Sequence, residues 1–298
     1  VVWAIVRTFG LERDYPLVQL VAFTPYAFVG SVIVLAVVLL MRRWIPAAVA
    51  GLAVVLLATA VVSRAVGSAD EPDGGPTVRL LVFNLARGQA DLSQLLQISR
   101  ERDISLLSLQ EVTEGAKVEM RRLGFDREFP HSVVLTDPAA GGGAVYSRYP
   151  LQYIGRPPTE ALQPRTLVRV PGASVFELMS VHPYAPAGPR TTPLWSSDYL
   201  LMPGADEPGP PRVLAGDFNA TLDHEKLRNL IATGYRDAGD VTGSGLSPTW
   251  PSRLKFPFPV TIDHVLAEPL VLILDYGVEA IRRSDHRAVY AELGLPAR

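Results

Sequence analysis

The 298-residue chain contains no cysteine. Disulfides and thiolate metal sites are therefore excluded. Lysine is almost missing too, with Lys117, Lys226 and Lys255 the only three. From residue 77 onward, 23 basic residues stand against 25 acidic ones. A protein that grips duplex DNA through many phosphates carries an excess of basic charge, and this chain has none. No internal repeat is visible, so a solenoid is not expected. The Arg-rich, Lys-poor usage suits a GC-rich bacterial genome.

Long apolar runs, by contrast, are plentiful at the front. Residues 17–40 (LVQLVAFTPYAFVGSVIVLAVVLL) and 44–63 (WIPAAVAGLAVVLLATAVVS) carry no charge. Each reaches the roughly 20 residues that a spanning helix needs, and neither shows the polar face of a core helix. Two spans, about 17–41 and 44–63, are expected to form a transmembrane helical hairpin that contacts the bilayer. Arg42 and Arg43 lie in the tight connection, which the positive-inside rule puts in the cytoplasm. The rest would then lie on the extracytoplasmic face of the cell membrane, although Arg7, Arg13 and Arg64 reduce the contrast. The opening VVWAIV reads as the tail of another apolar segment rather than a cleavable signal peptide, so either a missing upstream span or a misassigned start is expected. Residues 65–76 (AVGSADEPDGGP) have linker composition, and 77–298 is the size of one large domain.

Within that domain, apolar strand-like runs end repeatedly in polar residues. TVRLLVFNL ends at Asn84, ISLLSLQEV at Glu111, SVFELMSVHP at His182 and RVLAGDFNA at Asp217 and Asn219. VTIDHVLAE contains Asp263 and His264, and SDHRAVYAELGL opens on Asp285 and His286. Helices are expected at DLSQLLQISRERD, capped by Asp91, at residues 114–122 and near 222–232. Six polar endings in one domain predict strand ends converging on a single site.

The residue types fit phosphoester chemistry. Oxygen donors without cysteine suit a hard cation, Mg²⁺ or Mn²⁺, with Glu111 and Asp285 as candidate ligands and Asn84 adding a neutral oxygen. His286 and His182 suit proton handling near neutral pH, with Asp263 available to fix a histidine tautomer. Asp217 and Asn219, two apart on a strand, would face an attacking water and a phosphate oxygen. His264 should point away from Asp263 and be structural, and His131 and His224 read as surface residues. Ser147 and Arg148 fit either phosphate binding or packing, and Trp250 either a pocket wall or the core. The glycine-rich AAGGGA at 139–144 has no phosphate-loop spacing and reads as a flexible turn.

The ordered set VFNL, LSLQEV, GGGAVYSRYP, VHP, AGDFNA, TIDHVL and SDHRAVY resembles the endonuclease/exonuclease/phosphatase superfamily across residues 78–294. That family includes deoxyribonuclease I, apurinic endonucleases, neutral sphingomyelinases and inositol-polyphosphate 5-phosphatases. The resemblance implies a four-layer α/β sandwich, two packed mixed β-sheets flanked by helices. It implies that Glu111 is the principal metal-binding glutamate, with Asn84 beside it and Asp285 near the metal. Asp217 and Asn219 would activate water and contact phosphate, Asp263 and His286 would form a hydrogen-bonded dyad, and His182 would act on the leaving-group side. Shortly after Asn84 only Asp91 is acidic, which weakens the case for a second metal. The expected activity is Mg²⁺-dependent hydrolysis of a phosphodiester or phosphomonoester, on a lipid head group or nucleic acid, with no obligate protein partner. The alternatives are an extracellular nuclease specifically and a catalytically idle surface binding module.

Overall fold

The computed structural model describes residues 1–252 and 257–298, so Lys255 lies outside the described residues. Four helices come first: α1 (Val2–Phe9), α2 (Leu17–Val21), α3 (Thr24–Leu40) and α4 (Trp44–Val61), the last continued by a 3₁₀ turn, Val62–Ala65. The domain then runs β1 (Thr77–Asn84), α5 (Leu92–Glu101), β2 (Leu106–Gln110), α6 (Glu114–Leu123), α7 (Phe125–Glu128), β3 (His131–Leu135) and β4 (Gly143–Ser147). Next come β5 (Leu151–Gly155), β6 (Arg165–Val168), β7 (Phe176–Val181), α8 (Thr192–Tyr199), β8 (Arg212–Asp217) and α9 (Glu225–Ala232). It closes with β9 (Arg236–Asp237), α10 (Ala238–Val241), β10 (Asp263–Ala267), β11 (Leu272–Ala280) and β12 (Arg287–Gly294).

The strands make two six-stranded sheets, ordered β11-β12-β1-β2-β4-β3 and β5-β6-β7-β8-β10-β9. Both are mixed, because β1 runs parallel to β2 and β7 parallel to β8 while the other pairs are antiparallel. Side chains alternate along a strand, and the alternation sorts each one into layers. On β1, Leu80 and Val82 enter the layer between the sheets with Leu178, Val213, Ala215 and Val265. Leu81 and Phe83 face the other way, under Leu95 of α5 and Met120 of α6. On the outer face of the second sheet, Met179 and Leu214 lie under Trp195 of α8 and Leu227 of α9. Each of the fully buried Leu, Val and Met side chains among these contributes about 2 kcal/mol. The expected sandwich, two packed mixed sheets flanked by helices, is what forms.

The front of the chain departs from expectation. The run 17–40 was expected as one span, yet it breaks between Val21 and Thr24. Pro25 has no N–H to give the carbonyl of Val21, and Thr24 Oγ1 takes that carbonyl instead at 2.6 Å. The piece before the break belongs to the globular body, with Val18 packed among Met179, Trp195 and Leu227. Among the described residues one helix, Trp44–Ala65, is long and apolar enough to cross a membrane by length and composition, and α3 is apolar but shorter. Part of the 65–76 linker is also tied down. Asp70 accepts two bonds from Arg236 and one from the N–H of Ile273, and its own N–H donates to Ile273 O.

His224 is a second correction. It was expected at the surface but is buried, its Nε2–H donating to Val18 O and its Nδ1 accepting from Thr221 N, both at 2.9 Å. Burial pushes its imidazole down to about 4 from an ordinary 6.5. The unfolded chain therefore binds a proton that the folded one lacks between those values. Stability should fall as pH drops through this window, by about 1.4 kcal/mol per unit and ~3 kcal/mol in total. Melting curves from pH 7 to below 5 should show that slope reduced in His224→Gln. An identical slope would remove His224 as its source.

Candidate active site

The inward-facing residue at one end of the apolar core on each central strand is polar. Asn84 continues the phase of Leu80 and Val82, Asp217 that of Val213 and Ala215, and Asp263 that of Val265 and Ala267. Register does the rest: Asp263 pairs with Asp217 across the β8–β10 ladder, and Asn84 aligns with Gln110, next to Glu111, across β1–β2. Both sheets thus present their polar ends at one edge of the interlayer.

The contacts are close. Asn84 Nδ2 lies 3.0 Å from Asp217 Oδ2 and 3.2 Å from Glu111 Oε1. Glu111 adopts a left-handed backbone (φ 57°), rare for glutamate, and its Oε2 accepts from Arg87 N at 2.7 Å. Asn219 is also left-handed (φ 48°), which asparagine tolerates well. Its N–H donates to Asp217 Oδ1 at 2.9 Å, and its side-chain amide donates to Pro183 O. His182 Nε2 stands 3.7 Å from Asp217 Oδ2 and 4.0 Å from Glu111 Oε1. Its N–H bonds Gln163 Oε1.

His286 bridges the two aspartates. Nδ1 is 3.0 Å from Asp263 Oδ2, and Nε2 is 3.7 Å from Asp217 Oδ2. Burial pulls the imidazole down, but the charges of Asp263 and Asp217 outweigh it and push the group up to about 10. Burial pushes the Asp217 carboxyl up, and Asp263 adds to this against the pull of His286 and His182. His286 is therefore held as an imidazolium between two carboxylates.

Asp285 is placed differently from the others. It is exposed on the rim, where its Oδ2 accepts from Trp250 Nε1 at 3.1 Å. His264 faces away from the site onto Asp237 and Ala220 O, as its strand phase required. Arg148 pairs with Asp103 and Glu128, a packing role.

Sequence reasoning missed two supports. Ser284 donates to Asn84 O and accepts from His286 N, and Thr249 Oγ1 accepts from Asp263 N. Trp250, with core and pocket both open, borders the cavity, as do Ala139, Ala140 and Gly141. The neighbouring Gly142 is required for close packing, since a Cβ there would meet Val112 O at 1.9 Å.

The donor set fits a hard cation. Glu111, Asp217 and Asp263 converge, and among the described residues no Lys or Arg side chain bonds any of them. Glu111, hydrogen-bonded among the described residues only by the neutral Asn84 amide and the Arg87 N–H, is the carboxylate that an oxygen-coordinating cation would occupy.

A two-sheet sandwich with carboxylates, amides and histidines at one end of its interlayer defines a nuclease and phosphatase class of fold. The chain belongs to the Endonuclease/Exonuclease/phosphatase family, whose pattern matches residues 81–286. Among solved structures it is similar to an endonuclease/exonuclease/phosphatase from Beutenbergia cavernae DSM 12333, with TM-score 0.58 and 19% identity over 74% of this chain and 72% of the other. An AP endonuclease from Archaeoglobus fulgidus gives TM-score 0.57 and 14% identity over 72% and 98%. A 3′ phosphatase from Neisseria bound to a product DNA hairpin gives 0.54 and 17% over 72% and 98%. At these identities the likeness is one of fold. No curated protein matches the chain by sequence.

Proposed function

We propose that this chain is a membrane-tethered, divalent-metal-dependent phosphoesterase. The convergence of Asn84, Glu111, His182, Asp217, Asp263 and His286, from both sheets, carries the reading. Glu111 would hold Mg²⁺ or Mn²⁺, with Asp285 on the adjoining rim, and Asn84, whose Nδ2 faces Glu111 and Asp217 while its Oδ1 accepts from Ala86 N, would have to turn its amide to add an oxygen; when bound, the ion supplies charge stabilisation to a phosphate oxygen and the leaving group. Asp217 holds a water in line with phosphorus and takes its proton, a task that the raised carboxyl suits. Asn219 positions that carboxylate through its N–H. The His286 imidazolium, fixed by Asp263, faces the charge that builds on the phosphoryl oxygens. His182, whose Nε2 also faces Asp217 Oδ2, protonates the leaving oxygen.

Tethering is supported by α3 and α4, which pack side by side and expose Val29, Ile33, Leu40, Trp44, Ile45 and Leu52. Apolar surface on this scale calls for a lipid or protein cover. Arg7 and Arg64 both bond Asp223, which leaves Arg42 and Arg43 at the hairpin tip against Arg13 at the other end of the spans. That favours a cytoplasmic tip and an extracytoplasmic catalytic domain. A second reading is a nuclease, favoured by the likeness to a structure bound to DNA.

The full chain in detergent should release p-nitrophenolate from bis(p-nitrophenyl) phosphate with Mg²⁺ or Mn²⁺. EDTA should cut the rate at least ~100-fold, reversibly. Turnover indifferent to chelation would overturn metal dependence.

A further inference from the structure

The acid and histidine cluster forms one end of a cavity of about 730 Å³. Much of the remaining wall is apolar, and part of it comes from outside the catalytic domain. Ala22 and Phe23, in the break between α2 and α3, line the same space as Asp217 and His286. Pro183, Ala187, Val260 and Ile262 continue the wall. Hydrolysis at the charged end does not itself require such a surface.

The contributing segment is firmly held. Val18 O accepts from His224, Glu12 Oε1 accepts from Glu225 N, and Gln19 donates to Pro186 O and Thr192 Oγ1. One turn beyond Phe23, the Tyr26 hydroxyl donates to Pro259 O at 2.7 Å and its ring packs edge-on to Phe258. Tyr26 already belongs to α3, whose later residues are the exposed apolar ones. The cavity wall therefore runs directly into the helix that would enter the bilayer.

We propose that the α2–α3 junction is a specificity-determining part of this active site, and that it selects a phosphoester carrying a long apolar chain, drawn from the membrane in which α3 and α4 sit. The phosphorus lies at Asp217 and His286, and the chain leaves along Phe23 and Ala22 toward the lipid. This rests on the phosphoesterase reading above and goes further by assigning the substrate class to residues of the N-terminal segment.

Two diesters with one reacting centre test it: methyl p-nitrophenyl phosphate and hexadecyl p-nitrophenyl phosphate, given to the full chain in mixed micelles. The ratio of their kcat/KM values should favour the hexadecyl ester by at least about tenfold at equal surface concentration. Phe23→Asp should bring the ratio close to one, and Phe23→Leu should keep it. Ala22→Trp, which fills the wall without adding charge, should lower it as well and covers the case that Phe23→Asp misfolds. Equal cleavage of the two esters, or a ratio that survives both Phe23→Asp and Ala22→Trp, would overturn the assignment while leaving the phosphoesterase reading intact. Turnover confined to an oligonucleotide would overturn it in favour of a nucleic-acid substrate. No turnover of any phosphoester would remove the assignment together with the reading beneath it.

Discussion

Replacing Asp217 by asparagine should lower turnover at least about a thousandfold and leave the melting temperature within a few degrees of wild type. The two expectations have separate causes. As an ionised group, Asp217 is unwelcome where it stands: it is enclosed, and burial together with Asp263 opposes its charge. Asparagine keeps the shape and one acceptor for the N–H of Asn219 but forfeits the good contact to Asn84 Nδ2. Relief of the charge and loss of that contact offset each other in stability. Turnover has no such compensation, because an amide neither accepts the water's proton nor carries charge opposite His286. Kinetics and thermal unfolding on the same sample separate the outcomes. Wild-type turnover would sink the assignment of Asp217, and a collapsed melting temperature would make it a structural residue. His286→Ala should lose turnover comparably but also melt lower, since it leaves Asp263 and Asp217 facing each other without their cation.

Much of this site was legible because it is written in strand phase. A residue two beyond Ala215 on the same strand has to face where Ala215 faces, so Asp217 was committed to the interlayer by local pattern. The same holds for Asn84 and Asp263, and for His264, whose opposite phase sent it to Asp237. What local pattern could not carry was anything decided by a distant partner. His224 sits in LDHEKL, a polar run that reads as surface, and its burial comes from Val18, 206 residues away in sequence. Trp250 and Asp285 find each other across 35 residues, and neither motif announces the other. The first apolar run looked continuous by hydropathy, although Pro25 was in plain view. Composition identified an apolar stretch, and a missing N–H decided where the helix breaks. That break is consequential, because it hands Ala22 and Phe23 to the cavity.

The largest stability effect should come from outside the catalytic residues, at Asp223. Its side chain is fully enclosed and accepts from Arg64 through two nitrogens at 2.7 and 2.8 Å and from Arg7 Nε at 3.1 Å. Arg64 is equally enclosed, with 5% of its side chain exposed, and Arg7 little less so at 15%. These three residues clamp α1 and the end of α4 onto the loop before α9. Asp223→Ala would leave two guanidinium groups facing each other in a dry site. Breaking a buried pair by removing one partner costs about 3–5 kcal/mol. The loss should fall on the N-terminal segment first, since the two clusters that pack both faces of the first sheet lie wholly within the domain and only the third takes in Val18. Limited proteolysis of the full chain in detergent should then cut before residue 24 in Asp223→Ala and spare the wild type. Adding Arg64→Met and Arg7→Met should recover protection, because the uncompensated charges are what drive the segment off. Protection unchanged in Asp223→Ala would mean that the clamp does not hold the segment. Loss of protection with retained metal-dependent cleavage of methyl p-nitrophenyl phosphate would separate the two halves of the site, the polar end that performs hydrolysis and the docked wall that chooses what is hydrolysed.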